Sequence, residues 1–111
     1  MRRDSGKWLE DIVTNGKDAL EFLEGKTAEE YVESKALRAM VERKLYVVGE
    51  AVTQIKNEYP DVATQLPKVS DIVRFRNFLA HGYFAIDHQR VYDIALNSLP
   101  ELIEAAEKLD P

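Results

Sequence analysis

Apolar residues recur along this chain at the spacing of one helix face, and no segment shows the alternation of a strand. From about Ser5 to Glu24 they fall at Leu9, Ile12, Val13, Leu20 and Leu23, which predicts an amphipathic helix. Gly25 is its expected stop, since glycine readily takes the left-handed conformation that ends helices. "TAEE", Thr27 to Glu30, has the spacing of a capping box and predicts a short helix holding Tyr31 and Val32. Ser34 is the expected cap of a long helix from about Lys35 to Glu58. Its stripe is Leu37, Met40, Val41, Leu45, Val48, Ala51, Val52 and Ile55, and Pro60 closes it. "PDVATQLPKVSD" reads as a connection. Pro67 suits the first turn of a further helix with Val69, Ile72 and Val73, ending at Gly82. Asp87 is the expected cap of a last helix with Val91, Ile94, Ala95, Leu99, Leu102, Ile103, Ala106 and Leu109, kinked at Pro100. The predicted fold is all-α: an antiparallel four-helix bundle with an additional short helix, one domain over residues 1–111.

Composition narrows the function classes. No apolar run approaches the roughly 20 residues that span a bilayer. "MRRDSGKWLED" has no apolar stretch behind its arginines, so neither a membrane partner nor a secretory leader is expected. Cysteine is absent, which removes disulfides, thiolate metal sites and cysteine nucleophiles, and leaves the cytoplasm as the expected compartment. The net charge of −5 argues against a general nucleic-acid binder. The middle third departs from that balance: residues 35–76 hold 8 Lys/Arg against 5 Asp/Glu, while both flanks are acidic. Ordinary scatter and a basic surface both fit that distribution.

The basic stretch ends in "RFRNFLAHGYF", Arg74 to Phe84, where Arg76, Asn77, His81 and Tyr83 sit among apolar residues. On a helix, Asn77 and His81 share a face, while Arg76 and His81 lie roughly 140° apart. The length of arginine and a helix end at Gly82 would allow them to converge. A permanent cation and an imidazole suit phosphodiester chemistry, because the planar guanidinium grips phosphate and the imidazole moves a proton near neutrality. RNA supplies its own nucleophile, the 2′-hydroxyl, so neither serine, cysteine nor metal is required. His81 and His88 are the two histidines, and no His/Asp/Glu cluster has metal-ligand spacing. Taken singly, each residue has a plainer role: a hydrogen-bonded structural histidine, a salt-bridge arginine, an aromatic at the core's edge, an asparagine at a helix end. The residues alone leave both readings open.

With the spacing included, the chain resembles the HEPN superfamily and, within it, the HepT family of toxin–antitoxin ribonucleases. The family pattern is arginine, a polar residue that is usually asparagine, three further residues, histidine, any residue and tyrosine. "RNFLAHGY", Arg76 to Tyr83, matches it without departure. "ERKLYVVGEAV", Glu42 to Val52, resembles the family's middle helix, with Lys44 where asparagine is common. The likeness runs over nearly the whole chain, including the helix order and "YFAID" after the histidine. It implies a HEPN-like helical homodimer that cleaves RNA without metal or cofactor. It implies as partner a minimal nucleotidyltransferase antitoxin that transfers AMP from ATP to the motif tyrosine. On this resemblance Arg76 holds the scissile phosphate and stabilises its added charge, and His81 is the general acid/base. Asn77 orients the histidine or the phosphate, and Tyr83 accepts the AMP. Glu50 follows Gly49 in the middle helix and is expected to lie partly buried near the site. It would either orient Arg76 or Asn77 or pair with a neighbouring cation. Two other readings use the same fold: a non-catalytic helical binding subunit that supports a nucleotidyltransferase, and a helical dimer with no site.

Overall fold

The computed structural model describes residues 3–81 and 86–109. Among these the elements are α1 (Arg3–Leu23), α2 (Ala28–Glu33), α3 (Lys35–Glu58), α4 (Pro60–Ala63), α5 (Val69–His81) and α6 (His88–Leu109). The fold is all-α. α3 is its spine, packing on α1 and α5, while α6 closes the bundle against α1 and α2. Among the described residues no helix is long and apolar enough to cross a membrane.

Local sequence sets most of the boundaries. Gly25, two residues past α1, takes φ 75°, the left-handed region that ends the helix. Thr27 Oγ1 accepts from the Glu30 N–H at 3.0 Å and the Thr27 N–H donates to Glu30 Oε1 at 2.8 Å, the reciprocal capping box. That backbone bond to the carboxylate holds Glu30 below its usual titration range. Ser34 Oγ accepts from the Leu37 N–H at 3.1 Å and opens α3. Asp87 Oδ1 accepts from the Arg90 N–H at 3.2 Å and opens α6.

Leu37, Val41, Leu45, Val48, Ala51, Val52 and Ile55 bury one face of α3, joined by Leu9, Ile12, Ala19 and Leu23 of α1 and by Val91, Ala95, Leu99, Leu102, Ile103 and Ala106 of α6. Three readings change. Met40 is 45% exposed, because it stands at the edge of the α3 stripe instead of inside it. Pro60 both ends α3 and begins α4, a turn of helix where a plain connection was expected; its missing N–H costs nothing at the first helical position. Pro67 precedes α5 instead of entering it, because Lys68 intervenes at φ 54°, outside helical geometry. α6 runs unbroken through Pro100. The expected stop at Gly82 lies outside the described residues.

Candidate active site

The central contact between α3 and α5 has a glycine on one side and Arg76 on the other. A Cβ built at Gly49 would lie 2.4 Å from Arg76 Cβ and 2.8 Å from its Cγ. Glycine therefore lets the arginine stem rest on the α3 backbone. From there the guanidinium reaches along α3. Arg76 Nη2 lies 2.5 Å from Glu50 Oε1 and 3.3 Å from the Tyr46 hydroxyl. Its Cζ is 5.2 Å from the Tyr46 ring centroid, so the ring adds a cation–π contact. Nη1 donates to Asn77 Oδ1 at 2.9 Å. Glu50 Oε2 is occupied as well, accepting from Gln54 Nε2 at 3.0 Å. The arginine side chain is 21% exposed and the glutamate 32%, so the ion pair is sheltered but open to solvent on one side. The terminal nitrogens of Arg76 are held from three directions, while its Nε is buried without a hydrogen-bond partner among the described residues.

His81 stands at the end of α5 and is exposed. It lines an open groove of about 540 Å³ with Ala80 and Leu79 from α5 and Ala39, Glu42, Arg43 and Tyr46 from α3. Tyr46 belongs to both assemblies: it touches the guanidinium and it lines the groove of His81. A larger cavity of about 600 Å³ lies between α5 and α6 over Phe75, Phe78 and Ile94, and none of Arg76, Asn77, Glu50 or His81 lines it. The smaller groove is the one that adjoins the arginine, through Tyr46, which lines it with His81 and contacts the guanidinium.

The structure thus brings Arg76, Asn77 and Glu50 into one hydrogen-bonded set and places His81 in the adjoining groove. Asn77 touches Arg76; among the described residues no hydrogen bond links it to His81. Tyr83 lies outside the described residues. Tyr46, Glu42 and Arg43 were missed from sequence, and a signal was present. Glu42, Tyr46 and Glu50 are spaced four apart, which makes one polar stripe beside the apolar stripe of α3. Among the described residues no three or more His, Asp or Glu side chains gather as a metal site.

The family model described as "Ribonuclease HepT-like" matches residues 12–109, and the chain belongs to that family of the HEPN superfamily. A protein of Methanocaldococcus jannaschii, provisionally named as an RNase, is 32% identical over 97% of this chain and 88% of its own length. A second from the same organism, named likewise, is 30% identical over 96% of each chain. A protein of Thermococcus cleftensis provisionally named ribonuclease HepT is 29% identical over 98% of each. No solved structure matches significantly.

Proposed function

We propose that this chain is the toxin of a toxin–antitoxin pair, a metal-independent endoribonuclease working at a site composed across a two-fold homodimer. The observation that supports it best is the sheltered Arg76, held by Glu50, Tyr46 and Asn77 beside the groove that His81 lines. In this reading the guanidinium grips the scissile phosphate and stabilises the charge that builds on its oxygens. The 2′-hydroxyl attacks phosphorus, the bond to the 5′-oxygen breaks, and His81 handles a proton of that exchange. Asn77 and Glu50 keep the guanidinium aimed. Two copies related by a two-fold axis would set two Arg76 and two His81 about one RNA strand. The cognate antitoxin is a minimal nucleotidyltransferase that places AMP on Tyr83. The added phosphate would occupy Arg76 and repel RNA.

The test is cleavage of a fluorescent RNA in EDTA, with products resolved for a 2′,3′-cyclic phosphate. Arg76→Ala and His81→Ala should each abolish cleavage while remaining folded, and DNA should be spared. Survival of activity in His81→Ala, or a requirement for added Mg²⁺, would sink the mechanism. RNA binding without any cleavage would favour the non-catalytic binding subunit. Light scattering should give about twice the chain mass. Incubation with the nucleotidyltransferase and ATP should add adenylyl mass to the wild type and none to Tyr83→Phe.

A further inference from the structure

Cleavage through the 2′-hydroxyl needs a group that accepts a proton and a group that donates one. Two His81 imidazoles related by symmetry are chemically alike, so they give no built-in division between base and acid. Efficient sites pair titratable groups of unlike character. The groove offers such a group. Glu42 lines it together with His81, Arg43 and Tyr46. Its side chain is 26% exposed, yet its Oε2 is shut off from solvent and has no hydrogen bond among the described residues.

That buried oxygen faces a second cluster behind the groove. His88 Nδ1, from the first residue of α6, lies 3.4 Å from Glu42 Oε2, near enough for an ion pair when the imidazole is protonated but not aligned for a hydrogen bond. Tyr31 of α2 is fully buried, and its hydroxyl also lacks a partner. Burial raises the titration of that phenol and the Glu42 charge raises it further, against a smaller opposing effect of Arg38. The groups around Glu42 are therefore Tyr31 from α2, Arg38, Arg43 and Tyr46 from α3, His81 from α5 and His88 from α6. One side of this carboxylate is set from inside the bundle by His88, while the rest of the side chain reaches the groove.

We propose that Glu42 is the general base of the groove and His81 the general acid, with His88 positioning Glu42 from behind. This rests on the ribonuclease reading above. The Glu42 carboxylate takes the proton of the 2′-hydroxyl as its oxygen bonds to phosphorus. The bond from phosphorus to the 5′-oxygen breaks, and His81 in its imidazolium form gives its proton to that leaving oxygen. The products are a 2′,3′-cyclic phosphate and a 5′-hydroxyl. Glu42 is left protonated and His81 neutral, and proton exchange with water restores both. Arg43 at the groove supplies a cation for a neighbouring phosphate.

Single-turnover cleavage across pH tests the assignment. In the wild type the rate falls on the acid side as the carboxylate gains its proton, and on the alkaline side as the imidazolium loses its own. Glu42→Gln should lower the rate about 100-fold or more and remove the acid limb. It should still bind an RNA carrying a single 2′-deoxy residue at the cleavage position. Glu42→Asp should restore part of the rate if the fold is intact, which guards against simple misfolding. His88→Gln should lower kcat with KM unchanged and shift the acid limb. A Glu42→Gln protein that cleaves at the wild-type rate, or with an unchanged acid limb, overturns the proposal while leaving the ribonuclease reading intact. A wild type that never cleaves RNA overturns both. A binding readout separates the cases: NMR titration of the imidazoles with the 2′-deoxy RNA should move His81 and, through Glu42, His88. In Glu42→Gln the His88 response should vanish, and a persisting response would remove His88 from its positioning role.

Discussion

The polar stripe of α3 is built differently at its two ends. At Glu50 each carboxylate oxygen has a partner, Arg76 on one and Gln54 on the other. At Glu42 one oxygen is buried against His88 without an aligned hydrogen bond, and the nearby Tyr31 hydroxyl is equally unmatched. Although Arg76 Nε beside it is buried without a hydrogen bond among the described residues, paired oxygens fix the geometry of Glu50. That suits a guanidinium whose task is to stay charged and stay put. Incomplete matching leaves Glu42 Oε2 and His88 Nδ1 without a fixed hydrogen-bond geometry. Buried polar atoms without partners are uncommon, and where they cluster beside a groove they mark function more readily than stability.

The largest expected effect on stability falls at the Glu50 end. Gly49→Ala would gain about 1 kcal/mol from helix propensity. The new Cβ would stand 2.4 Å from Arg76 Cβ, an atom fixed to the α5 backbone and not the free end of a side chain, so the helices must part. Overpacking of that kind costs about 1–3 kcal/mol and outweighs the gain. A guanidinium displaced by about 1 Å should also lose about 100-fold in cleavage. Urea denaturation and the RNA assay would measure both. A stabilised, fully active Gly49→Ala protein would show that the close approach is dispensable.

Glu50→Gln is expected to be milder in stability, about 1 kcal/mol, because the pair is partly exposed and an amide oxygen still accepts from Arg76. Its kinetic signature is more telling. Without the carboxylate the guanidinium is less neutralised and less firmly aimed, so RNA should bind tighter while kcat falls. A drop in KM together with kcat supports the positioning role. A pure loss of binding would mean that Glu50 contacts RNA in some other way.

What was legible in the sequence follows interaction range. The Thr27, Ser34 and Asp87 caps join residues three apart, so the local pattern announced them correctly. Glu50 was expected partly buried near the motif, and it pairs with Arg76 there. Tyr46 on Arg76 spans 30 positions, and the Glu42–His88 pair joins α3 to α6. Periodicity says which face a residue occupies but not which helix it meets, so these partners stayed hidden. The single turn Pro60–Ala63 escaped for a related reason: it has too few residues for a period to show.

Tyr46→Phe tests the link between the ends with a smaller effect. The ring at 5.2 Å from the guanidinium remains and only the 3.3 Å hydroxyl contact is lost, so a loss of about 0.5–1 kcal/mol is expected. Cleavage should drop less than in Glu50→Gln. A collapse to the level of Arg76→Ala would instead make the hydroxyl a direct participant in the groove.

The smallest effect near neutral pH belongs to Tyr31→Phe, at the unmatched end. The hydroxyl is buried and makes no hydrogen bond among the described residues, so its removal forfeits no bond and should change stability by less than about 1 kcal/mol. The consequence appears in alkali. Burial first, and the Glu42 charge second, raise the titration of Tyr31 in the folded chain. Unfolded, the phenol ionises at its ordinary value of about 10. Above that pH the unfolded state holds fewer protons than the folded one, so stability falls as pH rises. The contribution is whole below about pH 10 and is lost progressively as pH climbs through the folded value. Phenylalanine has no such proton, and the other tyrosines are common to both proteins and cancel in the difference. Urea midpoints taken from neutral pH to strong alkali should therefore fall less steeply for Tyr31→Phe than for the wild type. Glu42→Gln should show a partial version of the same flattening, because it removes the second cause and leaves the first. Parallel curves for wild type and Tyr31→Phe would mean that the phenol reaches solvent in the folded protein, and the contrast between the two ends of α3 would lose its physical basis.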